Sequence, residues 1–571
     1  MTLEKRSFRI PEGQTFKGFA CIGLFHFLVL FLIAFFLGSG KAAAQDKTVD
    51  VEKVFQWASA ATPGCACAVS KNGQVLFSRA YGSADLEREA PLTTASLFDI
   101  GSVRKQFIAA AALLLVEENK LSLTEDIRKY VPELPDYGHK ITLNHLLTHT
   151  SGLRDWTGLL PLANGKPEAL SLILRQRGLN FTPGNEFSYS NSGYVLLVEI
   201  LERVSGMPFS TFAQERLFGP LGMTSTKYVV TMTEVLKHRA LAYEKQKDGW
   251  RHDMYWGNDR GGGAIYSTAE DMLVWNNALS SQKLSAFVTG KLQEPAKLNN
   301  GRKLGYGRGL FLETYRGVQE VYHTGGAAGY HAWAGRFLEQ GVSIAVLCNS
   351  NAMPASGMAE KIADLYVTYS QDIPAPIGPP PALTGDALTD AKTYAGLYFN
   401  AQNGEPLRLA VDRDRLRVVN GPALVPTGKG RFKRVGANVQ YMSQDEFELN
   451  FLSTDQVEFI SMEGKKALYQ RAKPVSTTAP DQQALAGRYT SDEIGGFFDI
   501  APGKDGLMVR ANDAAGPGFK LNAVDKDTYQ MGGVLLKFLR DKAGKIIELH
   551  YSNPVVRNIK FSKAGAISAS R

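Results

Sequence analysis

The spacing of apolar positions changes several times along the chain, and these changes predict where strands and helices lie. Residues 65–69 and 75–77 are short apolar runs on either side of Asn72-Gly73, and Asn-Gly in this setting is a strong signal for a β-hairpin. Residues 106–116 are apolar almost all round, which predicts a helix that is buried on every side. Residues 195–204 have the periodicity of an amphipathic helix.

Further along, the pattern predicts a second group of strands. The Gly-rich run at 321–330 and the apolar run at 342–348 predict strands, and a Gly-rich strand lets a substrate backbone approach closely. We expect short helices over residues 121–134 and 359–367. Strands, then helices, then strands are typical of an α+β fold with an antiparallel sheet flanked by helices.

The C-terminal third of the chain contains an internal repeat. A Pro-rich linker at 372–384 marks a domain boundary. Beyond it, residues 385–473 and 481–571 share similar segments at a constant offset, with short alternating strands separated by turn residues. This pattern predicts two all-β, barrel-like domains. They either shape or cap a site on the preceding domain or bind a partner.

The first 44 residues have the pattern of a targeting segment. Basic residues precede an apolar run at 19–37, and Ala42 to Ala44 follow it. This order predicts a secretory signal peptide cut after Ala44, or alternatively an uncleaved anchor in the inner membrane. In both cases residues 46–371, the main domain, are exported, so we expect a periplasmic or secreted protein.

Composition and charge narrow the function classes. The chain has 571 residues, is 44% hydrophobic and carries a net charge of +8, which suits a globular protein with several cores. The basic residues are dispersed, so we predict no binding to nucleic acid. Cys65 and Cys67 face the same side of one predicted strand, and Cys348 lies in another. We expect all three to be buried thiols rather than disulfide partners.

Ser102 and Lys105 are the first candidates for chemistry. They lie three residues apart at the start of the predicted buried helix, so they share one face. Burial lowers the pKa of a lysine, and a neutral amine can accept the proton of a neighbouring serine and so activate it. Backbone N–H groups at a helix start also suit a developing oxyanion. Alone, however, this spacing is a weak signal.

A second pair of polar residues precedes the amphipathic helix. Tyr189 and Asn191 are two apart in a polar loop, so in extended backbone they project to the same side. A tyrosine hydroxyl and an asparagine amide together offer a proton relay and a two-sided hydrogen-bonding group.

Two histidines have the spacing of metal ligands on a helix. His145 and His149 are four residues apart, on a helix that Thr142 is expected to cap. The metalloprotease pattern also needs a glutamate directly after the first histidine, and Leu146 stands there instead. We therefore predict a structural role near the site, and neither a metal nor an organic cofactor.

Three short motifs follow one another in order along the chain: Ser102-x-x-Lys105, Tyr189-x-Asn191 and His323-Thr324-Gly325. This ordered trio resembles the serine β-lactamase and penicillin-binding-protein family, most closely the class C β-lactamase branch with its peptidase and esterase relatives. Residues 146–153 and 266–271 strengthen the likeness, which covers roughly residues 50–370.

The resemblance implies a role for each motif. In the family the first-motif serine is acylated and the lysine acts as its base. By this resemblance Ser102 would be the acylated serine and Lys105 the base. By the same resemblance, Tyr189 would relay protons and Asn191 would hold the substrate amide. The N–H groups of Ser102 and Gly326 would form the oxyanion hole, and Thr324 and Gly325 would contact the substrate.

The third motif departs from the usual pattern at its first residue. The β-lactamases and carboxypeptidases usually have lysine where this chain has His323. A neutral imidazole is a weaker anchor for a substrate carboxylate than an ammonium, so His323 argues against efficient β-lactam hydrolysis. It is similar to the residue found in the D-aminopeptidase and esterase-like relatives, whose two C-terminal barrels the tail also resembles.

These observations lead to one principal hypothesis and two alternatives. The principal one is an exported serine hydrolase that forms an acyl-enzyme with small-molecule or peptide substrates: peptides, amides or esters, including those with D-amino acids. The first alternative is a β-lactamase or D-Ala-D-Ala carboxypeptidase. The second is a non-catalytic envelope protein that keeps the fold for binding.

Overall fold

The computed structural model describes residues 47–231, 233–255, 263–369, 382–401, 406–419, 423–434, 447–461, 466–473, 478–504, 506–516 and 518–564. The described residues divide into two compact units between Glu52 and Lys53. Helix α1 (Thr48–Val54) begins in the first unit. The predicted signal peptide or anchor at 1–44 lies outside the described residues. Within the described ranges, no helix combines the length and the apolar character needed to span a membrane.

The central element of the N-terminal domain is a six-stranded antiparallel sheet with the order β10-β11-β12-β13-β1-β2. The strands of this domain are β1 (Cys65–Lys71), β2 (Gln74–Tyr81), β3 (Ser83–Asp85), β4 (Ala90–Pro91), β5 (Phe98–Asp99), β6 (Lys227–Val229), β7 (Tyr243–Gln246), β8 (Gly249–His252), β9 (Ala264–Ser267), β10 (Phe311–Tyr315), β11 (Val318–Ala327), β12 (Tyr330–Phe337) and β13 (Val342–Cys348). The predicted hairpin is β1–β2. Asn72 and Gly73 turn it with positive φ angles of 50° and 80°, as a type I′ turn requires.

Helices cover this sheet and enclose most of the core. They are α2 (Lys105–Glu117), α3 (Leu143–Leu147), α4 (Trp156–Leu159), α5 (Ala169–Arg175), α6 (Asn191–Ser205), α7 (Phe209–Ala213), α8 (Gly219–Leu221), α9 (Ala269–Ser280), α10 (Ala286–Leu292) and α11 (Ala355–Tyr366), with a π-helical turn at Gln214–Phe218 and 3₁₀ turns at Gly101–Arg104, Ile127–Lys129, Leu160–Leu162 and Leu338–Gln340. Helix α2 is the buried helix that the apolar run predicts, and its residues from Lys105 to Leu113 are all at most 1% exposed. It packs against α6 and α10, which places its first turn inside the domain.

Two β-sheets follow, each preceded by a helix. The first comprises β14 (Gly396–Asn400), β15 (Pro406–Asp412), β16 (Arg415–Val418), β17 (Val425–Gly428), β18 (Arg431–Lys433), β19 (Phe447–Phe451), β20 (Gln456–Ser461) and β21 (Lys466–Arg471), after helix α12 (Gly385–Tyr394). The second comprises β22 (Gly487–Ser491), β23 (Gly496–Gly503), β24 (Gly506–Ala511), β25 (Phe519–Lys520), β26 (Asn522–Asp525), β27 (Thr528–Met531), β28 (Val534–Arg540), β29 (Ile546–Asn553) and β30 (Val556–Lys563), after helix α13 (Ala479–Leu485). We call them barrel 1 and barrel 2.

The two barrels repeat one plan. Their first strands begin at Gly396 and Gly487, and in both the first strand pairs with the second and with the last. A tyrosine in that strand donates a hydrogen bond to the end of the preceding helix: Tyr398 to the Tyr394 carbonyl and Tyr489 to the Leu485 carbonyl. The predicted fold class, an α+β domain with an antiparallel sheet plus two barrel-like domains, is confirmed. The exact domain boundaries stay predictions.

Barrel 2 packs directly on the N-terminal domain. Leu159, Leu162 and Leu172 of the N-terminal domain belong to the same apolar cluster as the barrel core. Beside this cluster, Arg154 and Glu493 form an ion pair of 2.6 Å with side chains only 5% and 9% exposed. The interface therefore combines apolar packing with a buried charge pair.

Two expectations from the sequence need correction. Cys65 and Cys348 are not free thiols but form a disulfide, because they are directly opposite each other on the paired strands β1 and β13. Cys67 is the buried free thiol among the described cysteines. Residues 121–134 do not form a helix beyond the 3₁₀ turn at Ile127–Lys129; its N-terminal Asp126 side chain accepts a hydrogen bond from the Arg128 N–H.

Candidate active site

Ser102 and Lys105 meet at the junction between a 3₁₀ turn and helix α2. Ser102 lies in the turn Gly101–Arg104, and Lys105 is the first residue of the helix. The Lys105 Nζ is 3.0 Å from the Ser102 Oγ and donates to the Asn191 Oδ1 at 2.9 Å. Lys105 is fully buried, and burial, assisted by Arg104, lowers its pKa well below the usual range. Burial therefore favours the neutral form of the amine next to the serine hydroxyl.

Tyr189 stands beside this pair. Lys105 Nζ lies 4.6 Å from the centroid of the Tyr189 ring. The Tyr189 hydroxyl is buried and makes no hydrogen bond of normal geometry with the described residues. Burial raises the pKa of this hydroxyl, and the nearby Ser102 opposes that shift. The hydroxyl is thus protonated at neutral pH and available to a group that enters the site.

Asn191 is held by an aspartate that the motif pattern did not reveal. Asp155, which is 1% exposed, accepts hydrogen bonds from the Asn191 backbone N–H and, at 3.2 Å, from its side-chain Nδ2. The other oxygen of Asp155 accepts from Thr157 N and Oγ1, which caps helix α4. This clamp turns the Asn191 Oδ1 toward Lys105. An aspartate just before a helix is a common cap, so the sequence alone offered no reason to assign Asp155 to the site.

Strand β11 brings the third motif against the serine turn. Gly325 passes so close to Ile100 that a Cβ at position 325 would lie 2.0 Å from the Ile100 carbonyl oxygen. Gly101 has a φ of +53°, and a Cβ there would lie 2.6 Å from the Gly326 nitrogen. Both positions need glycine because backbone meets backbone at these points. The Gly326 backbone is therefore a direct neighbour of the turn that carries Ser102.

His323 is placed differently from what its motif position suggests. It is 1% exposed, its Nδ1 lies 2.6 Å from the Thr324 carbonyl oxygen, and its Nε2 lies 3.3 Å from the Tyr306 hydroxyl. Burial lowers its pKa to about 3, and Lys105 adds to this shift. Both ring nitrogens are thus engaged within the protein. In this arrangement the His323 imidazole does not offer a nitrogen to a substrate carboxylate, which is the role expected from its motif position.

The two histidines with metal-ligand spacing have separate structural roles. The His145 Nδ1 accepts a hydrogen bond from the Thr142 backbone N–H in a capping box of helix α3. His149 contacts Tyr306 and the Ser190 backbone. Within the described ranges, no group of three or more His, Cys, Asp and Glu side chains is arranged to hold a metal ion.

The structure brings together all three motifs around Lys105. Next to the Ser102 turn lie the loop residue Tyr189 and the first residue of helix α6, Asn191. The strand β11 residues Thr324, Gly325 and Gly326 lie there too. Three residues near them were not predicted, namely Asp155, Tyr306 and Tyr194. The two tyrosines belong to an aromatic group around His149, whose ring centroid is 5.0 Å from that of Tyr306 and 5.2 Å from that of Tyr194. Their positions depend on distant segments, so no local pattern identified them.

Curated proteins similar to this chain cover most of its length. It is 28% identical over 378 residues to penicillin-binding protein 4* from Bacillus subtilis, a match that covers 61% of this chain and 81% of that protein. It is also 28% identical over 490 residues to a D-aminopeptidase from Cereibacter sphaeroides, which covers 82% of this chain and 87% of the relative.

A solved structure supports the fold. The octameric penicillin-binding protein homologue from Pyrococcus abyssi superimposes with a TM-score of 0.51 at 24% identity, covering 75% of this chain and all of that one. A family model described as Beta-lactamase matches residues 51–367, the segment that contains every motif described above. Because this match spans more than half of the chain, the protein belongs to the Beta-lactamase family and is a serine hydrolase.

Proposed function

We propose that the protein forms an acyl-enzyme at Ser102, with Lys105 as the base, during hydrolysis of peptide, amide or ester bonds. The observation that carries this proposal is the contact of 3.0 Å between the fully buried Lys105 Nζ and the Ser102 Oγ. Burial favours the neutral form of an amine, and none of the described carboxylates forms an ion pair with Lys105. It can therefore take the serine proton at neutral pH, where an exposed lysine could not.

The positions of these groups support the following acylation step. Ser102 Oγ attacks the substrate carbonyl carbon while its proton moves to Lys105 Nζ. The carbonyl oxygen becomes an oxyanion, which the backbone N–H groups of Ser102 and Gly326 would stabilise. The bond from the carbonyl carbon to the leaving group then breaks. Tyr189, whose hydroxyl remains protonated, is suited to pass a proton to the departing nitrogen or oxygen.

The substrate would lie along the free edge of strand β11. Strand β10 pairs with β11 only from Val318 to Tyr322, whereas β12 pairs with β11 as far as Ala327. Residues 323–327 therefore have one edge without a strand partner among the described strands. An extended substrate can add to such an edge through backbone hydrogen bonds. Asn191, held by Asp155, would orient the substrate amide from the opposite side.

The relatives point to the substrate class. D-aminopeptidases match this chain over most of their length, including the barrel region. We therefore favour substrates with D-amino acids. A β-lactamase or carboxypeptidase activity is the second candidate, favoured by the match to a penicillin-binding protein. It is weakened by His323, which offers no free nitrogen to a substrate carboxylate.

We also propose that the protein is exported. The basic and apolar pattern of residues 1–44 supports export by a signal peptide or anchor. The Cys65–Cys348 disulfide is a second argument, because disulfides persist mainly in oxidising compartments such as the periplasm. N-terminal sequencing of the protein from cell fractions tests this proposal, and intact residues 1–44 in the cytosolic fraction would refute it.

The decisive experiment is active-site labelling of the purified chain. We expect a fluorophosphonate to add once, at Ser102, as measured by intact-mass spectrometry and peptide mapping. Ser102→Ala should abolish the adduct, and Lys105→Met should slow its formation by roughly 1,000-fold or more, since the base is removed while the volume is kept. Ser96→Ala is the matched control. Ser96 is also buried, but its Oγ accepts a hydrogen bond from the Thr93 backbone N–H within its own loop.

Substrate panels then separate the candidate activities. We expect faster turnover of a D-alanine anilide than of its L-enantiomer or a cephalosporin. Rapid cephalosporin hydrolysis would instead favour the β-lactamase candidate. Equal labelling of wild type and Ser102→Ala would refute the acyl-enzyme proposal.

A further inference from the structure

A buried chain of hydrogen bonds connects the second motif to the third. The Ser190 backbone N–H, between Tyr189 and Asn191, is 3.1 Å from the His149 Nδ1. The His149 Nε2 is 3.1 Å from the Tyr306 hydroxyl. This hydroxyl is 3.3 Å from the His323 Nε2, and the His323 Nδ1 is 2.6 Å from the Thr324 carbonyl oxygen.

The two ends of this chain determine the tautomers of the two histidines. A backbone N–H can only donate, so the His149 Nδ1 must accept and its Nε2 must carry the proton in the neutral ring. A carbonyl oxygen can only accept, so the His323 Nδ1 must carry the proton and its Nε2 must accept. Tyr306 fits between them, because its oxygen can accept from His149 while its O–H donates to His323.

All three side chains are fully buried. His149 and His323 are both 1% exposed, and Tyr306 is 0% exposed. Tyr194, the neighbouring tyrosine, donates its hydroxyl to the Leu147 carbonyl, and its oxygen also faces the Tyr306 hydroxyl. The chain of hydrogen bonds is therefore shielded from water, and the two tautomers satisfy it when the Tyr306 O–H donates to His323.

We infer that His149, Tyr306 and His323 are positioning residues whose directed hydrogen bonds hold the Tyr189–Asn191 loop in register with the Thr324–Gly326 strand. This inference rests on the proposed function, because it assigns these residues to the alignment of the proposed catalytic groups. It also gives His323 a different role from the substrate anchor expected from its motif position. Its imidazole stabilises the geometry of the site and does not bind the substrate.

The charge state of the two imidazoles is consistent with this role. Burial lowers the pKa of His149 well below its usual range and that of His323 to about 3, and in both cases the Lys105 side chain contributes to the shift. Neutral rings satisfy every donor and acceptor in the chain, whereas a protonated ring would place two donors where one acceptor is required. The chain therefore holds the second and third motifs together without a charge beside Lys105.

The first test reads the proton positions directly and does not need activity. We would record two-bond ¹H–¹⁵N correlation spectra of the full chain labelled with ¹⁵N-histidine at pH 6 to 8, assigning signals with single His→Gln variants. We expect His149 as the Nε2–H tautomer and His323 as the Nδ1–H tautomer. The opposite tautomer at either position, or a protonated ring at pH 6, would overturn the inference even if Ser102 proves to be the nucleophile.

The second test separates positioning from substrate binding. Tyr306→Phe removes only the hydroxyl that joins the two imidazoles, and we expect kcat to fall roughly 10- to 100-fold while KM changes less than about 2-fold. The loss should be equal for a D-alanyl substrate that ends in a carboxylate and for the same substrate ending in an amide. A loss confined to the carboxylate substrate, or a change in KM alone, would show that His323 binds substrate and would overturn the inference.

A matched control is available on the same strand. Tyr322 directly precedes His323 and faces the opposite side of the sheet, where its hydroxyl donates to Glu313. Tyr322→Phe therefore removes a buried hydroxyl without touching the chain of hydrogen bonds, and we expect a lower melting temperature with unchanged kcat. An equal kcat loss in Tyr322→Phe and Tyr306→Phe would mean that any buried hydroxyl deletion disturbs the site, which also overturns the inference. If wild-type chain lacks hydrolase activity, the proposed function fails while the tautomer test still stands.

Discussion

The buried ion pair between Arg154 and Glu493 offers the clearest test of how barrel 2 supports the N-terminal domain. Arg154 Nη1 lies 2.6 Å from the Glu493 carboxylate, and the two side chains are 5% and 9% exposed. The same carboxylate accepts from the Arg177 backbone N–H at 2.7 Å. Among the described residues, Glu493 is the only anionic partner of Arg154. Replacing Glu493 with Leu removes it.

The size of the effect follows from what remains around Arg154. Removing one partner of a buried ion pair typically costs ~3–5 kcal/mol, because the other charge is left without compensation. Arg154 keeps three neutral acceptors, namely Gln176 Oε1 and the carbonyls of Arg557 and Asn558. We therefore expect the lower end of that range, a loss of about 3 kcal/mol. Replacing both partners, as Arg154→Met with Glu493→Leu, should cost less, since no charge stays buried.

Thermal unfolding monitored by circular dichroism measures this difference. A loss of about 3 kcal/mol corresponds to a decrease of roughly 12–24 °C in the transition of barrel 2, which has the size of a domain of fewer than 100 residues. Because Arg154 precedes Asp155, which clamps Asn191, we also expect a lower kcat in the single variant. The control is Glu186→Gln, which breaks the more exposed pair between Glu186 and Arg557 at the same interface and should cost less than about 1 kcal/mol. Equal effects of Glu493→Leu and Glu186→Gln, or a double variant as unstable as the single one, would refute the reasoning.

Three further predictions follow from other parts of the structure. Burial raises the pKa of Glu320 from 4.5 to about 8, with the facing Glu313 adding to the shift; the folded state then binds more protons than the unfolded chain between these values, so stability should fall as pH rises from about 5 to 8. Glu320→Gln should weaken this dependence and stabilise the protein by about 4 kcal/mol at pH 8. Part of the dependence should remain, because burial also raises the pKa of Glu313 to about 7. Melting curves that keep the full wild-type slope would contradict this. Gly325→Ala should lower kcat at least roughly 100-fold, because the added Cβ would collide with the Ile100 carbonyl and displace the Ser102 turn. The control Gly290→Ala, whose added Cβ meets nothing within 4 Å, should keep full activity. A fully active Gly325→Ala variant would argue against the close approach of strand β11 to Ile100. Cys348→Ala should lower the free energy of unfolding by about 2–5 kcal/mol, since the disulfide joins residues 283 positions apart. The melting temperature of this variant should no longer respond to reductant, whereas that of the control Cys67→Ala should. A wild-type protein whose melting temperature does not respond to reductant would count against a stabilising disulfide.

Local patterns in the sequence were sufficient for the elements that the proposed chemistry needs. The unbroken apolar run after Lys105 predicts a buried helix, and the structure buries helix α2 on all sides. Asn72-Gly73 predicts the β1–β2 hairpin because these residues favour the two positive φ angles of a type I′ turn, whose twist matches that of the strands. The repeat after the Pro-rich linker predicts two similar all-β domains, and their first strands begin 91 residues apart at Gly396 and Gly487.

Some local patterns were misleading because tertiary contacts prevailed. Residues 121–134 have enough apolar positions for a short helix, but only Ile127–Lys129 forms a helical turn. The cysteines were expected to be free because no sequence rule pairs Cys65 with a residue so far along the chain. Their pairing follows from the register of β1 on β13, which depends on the whole sheet.

The sequence by itself determined which chemical groups this protein carries and in what order: Ser102 with Lys105, Tyr189 with Asn191, and the third motif at 323–325. Short-range spacing is enough for that, because the members of each motif are at most three residues apart. Only the tertiary structure decided how these pairs meet. The clamp of Asp155 on Asn191, the hydrogen bonds that turn His323 inward, and the packing of barrel 2 on Arg154 all join residues that are distant in sequence. Such contacts depend on the packing of complete elements, and the spacing of residues along one segment carries no information about them.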